Sequence, residues 1–320
     1  MTPKTILVTG ATGVVGRPAM RRLVAAGHHV RAVARSDDKA AALRTLGATP
    51  VVVDLFDAAG VRAAVAGCDT VLHLATNVPP LRKASRPDAW ATHNRLRTEA
   101  TRHLVAAALD HDVETFVKES IVFVYPVGGA EWIDETTPPD PTRTWLAPTV
   151  EGEQLVDPIS ERGGRAVVLR FGLFYGPGNR ATHEARRLAR FRMSTFPGPP
   201  DAYLSMVHTE DAAAAVVEAC TAAPSGVYNV CDDEPLTRRD HRAAFAAAFG
   251  YRRLYAAPGW LMRLVAGSAA GVLTSSQRCS NRRFRDATSW APQYPDVRVG
   301  WRAVARADEH EANGNERGRA

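Results

Sequence analysis

The chain has 320 residues, of which 45% are hydrophobic and 23% charged, so it can bury one large core or two modest ones, and disorder is excluded for most of its length. Lysine and arginine number 40 against 34 acidic residues, which gives a formal net charge of +6. The excess is arginine dispersed along the chain and in segment 184–192, where a solvated helix face explains the pattern better than a nucleic-acid site.

Neither a leader nor a membrane span is expected. No long apolar run opens the chain, and the most apolar stretch, residues 260–273, is interrupted by Arg263 and is shorter than the roughly 20 residues that span a bilayer. The four cysteines lie far apart and form no C-x-x-C pair, which argues against a metal site and a disulfide framework. We therefore expect a cytoplasmic protein with no membrane or nucleic-acid partner, in which residues 260–273 form a helix packed on the core.

Short runs rich in β-branched residues alternate with helical patterns through the first half of the chain. Helices are predicted over about 14–26 and 37–46. The predicted strands are KTILVTG, HVRAVAR, TPVVVDL, TVLHLAT, ETFVKES and RAVVLRFG. Because parallel strands need long crossover connections, this alternation predicts an α/β fold with a doubly wound parallel sheet.

The segment TGATGVVG, residues 9–16, follows the first predicted strand and opens the first predicted helix. Gly10 permits a tight turn, Gly13 lets the backbone approach a pyrophosphate, and Gly16 lets the helix pack close to the sheet. The N-terminus of the helix then faces the anion. This strand–turn–helix context predicts a dinucleotide cofactor bound to a Rossmann-type domain.

The second predicted strand ends in Arg35, where an Asp or Glu would meet a ribose 2′-hydroxyl. An arginine there can pair with a 2′-phosphate, so NADP(H) is preferred over NAD(H). Asp37 and Asp38 lie close enough to keep NAD(H) open, and a solvent-facing Arg35 is the alternative. The other residues expected at the cofactor lie in the glycine loop or end the third and fourth strands: Thr12, Val14, Val15, Asp54, Leu55, Leu74, Ala75 and Thr76.

The alternation of strands and helices becomes irregular after YGPG, residues 175–178. We expect residues 1–177 to form the NADP-binding domain, with a sheet that continues through residues 205–232. Residues 178–305 are expected to form mostly a smaller, largely helical substrate-binding lobe, and residues 306–320 a disordered tail.

Six motifs follow one another along residues 4 to 250. They are the glycine loop, Asn94 with Thr98, FVKESIVFVYP, RFGLFYGPG, MVHTEDAA and YNVCDDEPLT. In these motifs the chain resembles the extended and atypical short-chain dehydrogenase/reductases, a superfamily that includes nucleotide-sugar epimerases. The resemblance implies that Thr149, Phe171 and Phe174 also border the cofactor.

The catalytic residues of that superfamily are not matched. The resemblance implies a Ser or Thr that polarises the substrate oxygen, a Tyr that passes the proton, and a Lys four residues later that lowers the pKa of the tyrosine. Those positions hold Ile121, Trp145 and Thr149, and none of the four lysines follows a tyrosine by four residues. Ser120 is a possible helper, with support of the strand as its alternative role. His208 and Tyr125 are weaker candidates, each with a structural alternative.

Apolar and aromatic side chains occur in the segments that should border the nicotinamide, and would line a large cleft. Trp145 replaces the expected tyrosine, so it should face this cleft, where a flat aromatic ligand could stack on it. The residues expected to line the cleft are Ser120, Phe123, Trp145, Leu146, Phe174, Phe191, Met193, Phe196, Tyr203, Met206, Trp260 and Met262.

The chain is also similar to the atypical ketoreductases that tailor angucyclinone antibiotics. This resemblance implies an NADPH-dependent oxidoreductase that reduces an aromatic ketone, a carbonyl of a polycyclic polyketide, to a secondary alcohol. The cofactor would supply the hydride, and the proton would come from a phenol of the substrate or from water. The alternative is an inactive protein that binds NADP(H) and reports its redox state to a partner. The oligomeric state stays open.

Overall fold

Seven parallel strands form the central sheet. This computed structural model describes residues 2–80, 83, 85–194, 196–256, 271 and 274–317. The strands are β1 (Thr5–Thr9), β2 (His29–Ala34), β3 (Thr49–Val52), β4 (Thr70–His73), β5 (Thr115–Ile121), β6 (Arg165–Phe171) and β7 (Gly226–Val230). They are ordered β7-β6-β5-β4-β1-β2-β3, and every neighbouring pair is parallel. The predicted α/β fold with a Rossmann-type sheet is confirmed.

The winding of the sheet reverses between β1 and β4, which lie side by side at its centre. At such a point the loops that follow the two strands run to opposite faces and leave a crevice at the carboxyl edge, where α/β proteins bind ligands. The loop after β1 is the glycine loop, and the segment after β4 begins with Leu74. The fold therefore places both segments beside the crevice.

Helices cover both faces of the sheet. They are α1 (Gly16–Ala25), α2 (Asp37–Arg44), α3 (Ala58–Val65), α4 (Ala91–Arg97), α5 (Glu99–Asp110), α6 (Ala147–Gln154), α7 (Asp157–Glu161), α8 (Arg180–Ala189), α9 (Thr209–Thr221), α10 (Arg238–Ala248), α11 (Arg282–Ala287) and α12 (Val297–Arg317). Ile6 and Val8 of β1 are buried with α1 and α9, in what we call the apolar layer. Leu7 between them is buried on the opposite face with α3, α5 and α7. Successive residues of a parallel strand thus enter two different cores.

A third apolar cluster forms a smaller lobe in the C-terminal part of the chain. Phe196, Leu236, Phe245 and Trp301 are buried there, with α8, α10 and α12 around them. Four short strand pairs complete the fold: Leu173–Tyr175 with Met206–His208, Tyr203–Leu204 with Leu236–Thr237, Met193–Ser194 with Tyr255–Ala256, and Trp132–Ile133 with Arg278–Cys279. Single turns of 3-10 helix occupy Pro87–Trp90, Val122–Val124 and Thr144–Leu146.

The last helix, α12, extends into the segment that the sequence analysis expects to be a disordered tail. It ends at Arg317, so residues 306–317 are helical instead. One face of its first turns is buried in the lobe through Val297, Trp301 and Val304. The next turn is held by an ion pair between Asp308 and Arg186. The helix predicted over residues 260–273 lies almost entirely outside the described residues. None of the helices described is long and apolar enough to cross a membrane.

Candidate functional site

The glycine loop after β1 closes tightly against the segment after β4. Gly10 has a φ of +71°, and a Cβ on it would lie 2.5 Å from the carbonyl oxygen of Leu74. A Cβ on Gly16 would collide with the carbonyl oxygen of Gly10, and the N–H of Gly13 donates to that same oxygen at 2.8 Å. Only glycine satisfies the left-handed backbone and the close contact at position 10.

The tip of the loop is open toward the crevice. Gly13 and Val14 are exposed, and α1 begins directly after them with no acidic side chain in its first turn. The positive end of the helix is therefore available to a pyrophosphate. Val15 does not share this position, because its side chain is buried in the apolar layer. Its predicted contact with the cofactor stays a prediction.

Two other edges of the crevice carry exposed polar groups. Arg35 is exposed where β2 ends. Asp54 is exposed after β3, and its Oδ1 accepts a hydrogen bond from the N–H of Phe56 at 3.0 Å. Thr76 is exposed after β4, while Leu55 and Leu74 are buried beneath. Together with the glycine loop, these groups fit a dinucleotide, with a helix end available for the diphosphate.

A hydrogen-bonded histidine joins β1 and β4 below the crevice. His73 Nε2 bonds the carbonyl oxygen of Leu96 at 3.2 Å, and Nδ1 bonds Thr9 Oγ1 at 2.7 Å. Because the carbonyl can only accept, Nε2 carries the proton and Nδ1 accepts from the threonine hydroxyl. Burial, followed by the charge of Lys118, holds the pKa of His73 well below its usual value. This histidine is thus a neutral structural group.

Two ion pairs are buried beneath α4 and α6. Arg170 of β6 donates to Glu153 of α6 through Nε at 2.9 Å and Nη2 at 2.6 Å. Arg97 of α4 donates through Nη1 to the carbonyl oxygen of Glu119 at 2.6 Å, and the same Nη1 lies 2.6 Å from its Oε2. All four side chains are less than a tenth exposed. With Lys118 they form what we call the charged layer.

Lys118 is the fifth member of the charged layer. It is 1% exposed, and its Nζ donates to the carbonyl oxygen of Glu119 at 3.3 Å. Burial, followed by the nearby charge of Arg97, lowers the pKa of Lys118 to about 7, although Glu119 and Glu153 act in the opposite direction. The sequence analysis missed this residue. The signal was a lysine inside a strand whose neighbours are all buried.

Gly152 brings α6 against α4 above the charged layer. A Cβ at this position would collide with the carbonyl oxygen of Arg97 and would lie 3.5 Å from Cε of Lys118. The end of the lysine side chain therefore reaches the turn of α6 that follows Thr149. Thr149 itself is 2% exposed. Its side chain is thus enclosed by protein, and its predicted contact with the cofactor stays a prediction.

Trp145 lies in the 3-10 turn that precedes α6, where the superfamily resemblance leads one to expect the tyrosine. It is half-buried, and its ring lies 5.4 Å from the ring of Trp90 at an angle of 60°. Trp90 in turn meets the ring of His93 edge to face at 5.3 Å. The three rings form what we call the aromatic cluster, which the sequence analysis reached only through Trp145.

Three polar residues that the sequence analysis weighed as helpers are structural. Ser120 is fully buried and donates its hydroxyl to Oε1 of Glu153. Tyr125 is fully buried and donates to Oδ1 of Asn229 at 2.9 Å. His208 is 2% exposed, and its Nδ1 accepts from the N–H of Glu210 at 3.2 Å as the cap of α9. Ser120 is thus enclosed by protein, and its role at the substrate stays a prediction.

Several residues predicted at the cofactor or the substrate lie in the cores instead. Phe171 is fully buried in the apolar layer. Phe196 and Met206 are buried in the C-terminal lobe, and Leu146 is 2% exposed. These side chains therefore pack against protein. Trp260 and Met262 lie outside the described residues.

The remaining predicted substrate contacts are partly or fully exposed. Phe174 packs on Phe171 at 5.2 Å between ring centres, and Phe123 packs on the core of the lobe. Tyr203 lies under the guanidinium of Arg278 at 4.8 Å. Phe191 and Met193 are 72% and 41% exposed. Contact of these residues with a ligand stays a prediction.

Fold and site together define a dinucleotide-binding protein of the Rossmann type. Residues 6–231 match the model of the NAD dependent epimerase/dehydratase family. A Streptomyces protein named 3-diazoavenalumate denitrifying reductase is 32% identical over 305 residues, which cover 92% of this chain and 98% of that protein. A Stigmatella aurantiaca protein named 4-hydroxy-2-methyl-3-oxo-4-farnesyl-3,4-dihydroquinoline-1-oxide ketoreductase is 30% identical over 241 residues, which cover 72% of this chain and 69% of that protein.

Solved structures share the fold along nearly the whole chain. A human epimerase family protein with NADPH has a TM-score of 0.80 at 22% identity and covers 94% of this chain and 99% of its own. MoeE5 in complex with UDP-glucose and NAD has a TM-score of 0.77 at 21% identity and covers 96% of this chain and 99% of its own. The chain belongs to the NAD dependent epimerase/dehydratase family. Within it, the chain is an oxidoreductase with a nicotinamide cofactor.

Proposed function

We propose that the protein is an NADPH-dependent reductase of a flat aromatic acceptor, and that it works without the tyrosine and lysine of the short-chain dehydrogenase/reductases. One observation carries this proposal: the position of the tyrosine is occupied by Trp145, whose half-buried ring leans on Trp90. An indole N–H cannot release a proton near neutral pH, but the two rings offer a surface on which an aromatic ligand can stack.

NADP(H) is the cofactor that the polar edge of the crevice favours. Arg35 is exposed at the end of β2, and the acidic residue that would bind a 2′-hydroxyl is absent from that position. The glycine loop and the first turn of α1 would hold the diphosphate, and Leu74, Ala75 and Thr76 would border the rest of the cofactor. When bound, the nicotinamide supplies a hydride to the acceptor.

A polycyclic aromatic ketone with a neighbouring phenol is the first acceptor that we propose, as in an angucyclinone-type polyketide. The phenol hydrogen-bonds the carbonyl oxygen, so the proton that this oxygen needs after hydride arrives is already on the substrate. The protein then has to exclude water and hold the ring system flat against the cofactor. In this chemistry, aromatic residues that stack on the substrate, such as Trp145, matter more than residues that transfer protons.

An aromatic diazonium ion is the second acceptor, and the relative from Streptomyces favours it. That protein is named as a denitrifying reductase of a diazo compound. If hydride replaces the N₂ group of an aryl diazonium, the products are the arene and N₂, and no proton is consumed. A site without the tyrosine and lysine of the superfamily suits this reaction as well as it suits the phenolic ketone.

The experiment is to incubate the protein with NADPH deuterated at the transferable C4 position and to analyse the products by mass spectrometry. The acceptors are 8-hydroxy-1-tetralone, 1-tetralone and an o-hydroxyarenediazonium. Deuterium on a carbinol carbon supports the ketone, and deuterium on the aromatic ring with loss of N₂ supports the diazonium. A Gly10→Ala variant measures the background reaction of free NADPH. Absence of transfer, with NADPH binding verified in the same sample, would replace this proposal with the redox sensor.

A further inference from the structure

One cation of the charged layer has no carboxylate of its own. The two arginines pair with the two glutamates, Arg97 with Glu119 and Arg170 with Glu153. Lys118 forms no ion pair within the described residues, and its Nζ has a single hydrogen-bond partner there, the carbonyl oxygen of Glu119 at 3.3 Å. An ammonium has three N–H donors, so two donors of Lys118 have no partner among the described residues.

His93 is a buried acceptor near this cation. It is 4% exposed, and its Nδ1 is buried with no hydrogen-bond partner among the residues described. Burial, followed by the charges of Arg97 and Lys118, lowers the pKa of His93 to about 3, so the ring is neutral at neutral pH. A neutral imidazole donates from one nitrogen and accepts at the other, which lets it pass a proton through the ring.

Ring contacts connect His93 to Trp145, which lies at the position where the resemblance predicts a tyrosine. The ring of His93 meets Trp90 edge to face, and Trp90 meets Trp145. On α4, His93 lies on the buried stripe with Leu96 and Arg97, so its side chain is on the side of the helix that carries the ion pair.

We propose that Lys118 and His93, bridged by a buried water, form a proton relay that ends at the acceptor in the Trp145 cleft. The inference rests on the proposed reductase function and adds a proton source to it. A water between the ammonium and Nδ1 would satisfy an unused donor and an unused acceptor at once, which is the usual setting of a buried water.

For a ketone acceptor, the proposed step conserves electrons and protons. Hydride from the cofactor binds the carbonyl carbon, and the π electrons of the carbonyl go to its oxygen. His93 gives that oxygen a proton from one ring nitrogen and receives one at the other from the ammonium of Lys118 through the water. Lys118 becomes a neutral amine and takes up a proton from solvent before the next turnover.

The test compares acceptors that need a proton from the protein with acceptors that do not. Lys118→Met and His93→Phe keep the volume and shape of each side chain approximately and remove its proton. General acid catalysis contributes about 100-fold or more, so each variant should lower kcat/KM for 1-tetralone by about that factor. For 8-hydroxy-1-tetralone the loss should be smaller by about 10-fold, and for the diazonium it should be absent.

His241→Phe is the matched control. His241 is also fully buried, has no partner on either ring nitrogen among the described residues, and has a pKa lowered to about 3 by burial and nearby arginines. It packs on Phe196 in the C-terminal lobe, away from the charged layer. Equal losses in His93→Phe and His241→Phe, or equal losses for all three acceptors, would overturn the relay.

A second readout does not depend on turnover. Long-range ¹H–¹⁵N spectra of the free protein give the tautomer of each histidine, and the His93 signal is the one that His93→Phe removes. It should change in Lys118→Met and stay unchanged in Lys39→Met. An unchanged His93 signal in both variants would overturn the coupling even if the wild type proves active. Absence of hydride transfer by the wild type would overturn the proposed function and this inference together.

Discussion

One face of the central sheet buries an apolar layer, whereas the other buries charged side chains beside its apolar core. Under α1 and α9 the buried side chains of the apolar layer come from β1, β2 and their neighbours. Under α4 and α6 the sheet carries Lys118, Glu119 and Arg170, all less than a tenth exposed. The apolar layer supports the glycine loop that would bind the cofactor, and the charged layer lies beneath the aromatic cluster that would bind the acceptor. The glycine loop and the aromatic cluster thus rest on supports that differ in the charge they bury.

The largest effect is expected at the edge of the apolar layer, in Gly10→Ala. Its Cβ would press on the carbonyl of Leu74 at 2.5 Å, in a left-handed backbone, so the loop cannot keep its shape. We expect loss of NADPH binding, measured by calorimetry. Gly67→Ala is the control, because Gly67 has a φ of +70° with nothing within 4 Å of its Cβ. If Gly67→Ala abolished binding as well, general strain would explain the result.

The next effect is expected in the charged layer, in Glu153→Gln. The change leaves the guanidinium of Arg170 buried without its carboxylate, which costs about 3–5 kcal/mol of the free energy of unfolding. Chemical denaturation measures it. Glu151→Gln on the same helix is the control, because that carboxylate pairs with Arg102 at the surface and is worth about 1 kcal/mol or less. Similar losses in both variants would show that burial of the pair is unimportant.

Arg35→Ala tests whether Arg35 binds the 2′-phosphate of NADPH. A charged hydrogen-bonded group is worth about 1.5–3 kcal/mol, so NADPH affinity should fall by about 10- to 100-fold. NADH affinity should stay within about 3-fold, since NADH has no 2′-phosphate for the guanidinium to meet. Fluorescence titration with the two cofactors measures both. Equal losses would mean that Arg35 has a structural role.

Lys118→Met should change how stability depends on pH. Burial lowers the pKa of Lys118 from its usual 10.5 to about 7, so between these values the unfolded chain binds the proton and the folded chain does not. The lysine therefore destabilises the fold most below pH 7, and this penalty disappears as the pH rises through 10.5. We expect the variant to be more stable than the wild type at pH 6, with a difference that shrinks toward pH 10. A difference independent of pH would contradict this.

The smallest effect is expected in Ser120→Ala. Its hydroxyl donates to Glu153, which also accepts a hydrogen bond from Arg170. We therefore expect the free energy of unfolding to fall by about 1 kcal/mol. Activity should stay within about 3-fold, because the hydroxyl is enclosed beneath α6 and does not face the cleft. Parallel measurement of denaturation and of kcat/KM separates the two. A large loss of kcat with unchanged stability would instead indicate that Ser120 acts at the substrate.

The sheet and the cofactor loop could be predicted because their signals are local. Strand β1 and the turn at Gly10 are specified by neighbouring residues, and the strand–turn–helix order leaves few alternatives. The first helix was predicted over about 14–26 and is found at Gly16–Ala25. The presence of Trp145 where the resemblance predicts a tyrosine could also be read from the sequence, since it concerns the identity of one residue.

The acceptor side could not be predicted in the same way, because it depends on which side chains the tertiary packing encloses. Phe196 and Met206 occur near the expected cleft in sequence, yet both close the core of the lobe. His93 lies only one residue before a recognised motif, but its ring contacts Trp90, which lies in the preceding turn. A side chain in a contact of this kind has no local signature.

The single missing Cβ at Gly152 sets the spacing of two helices. Any side chain there would meet the carbonyl oxygen of Arg97 and force α6 away from α4. Trp145 precedes α6 and Trp90 precedes α4, so a wider gap would part the two indoles. The contact between the two indoles thus depends on a residue further along α6, whose missing side chain sets the distance between the helices.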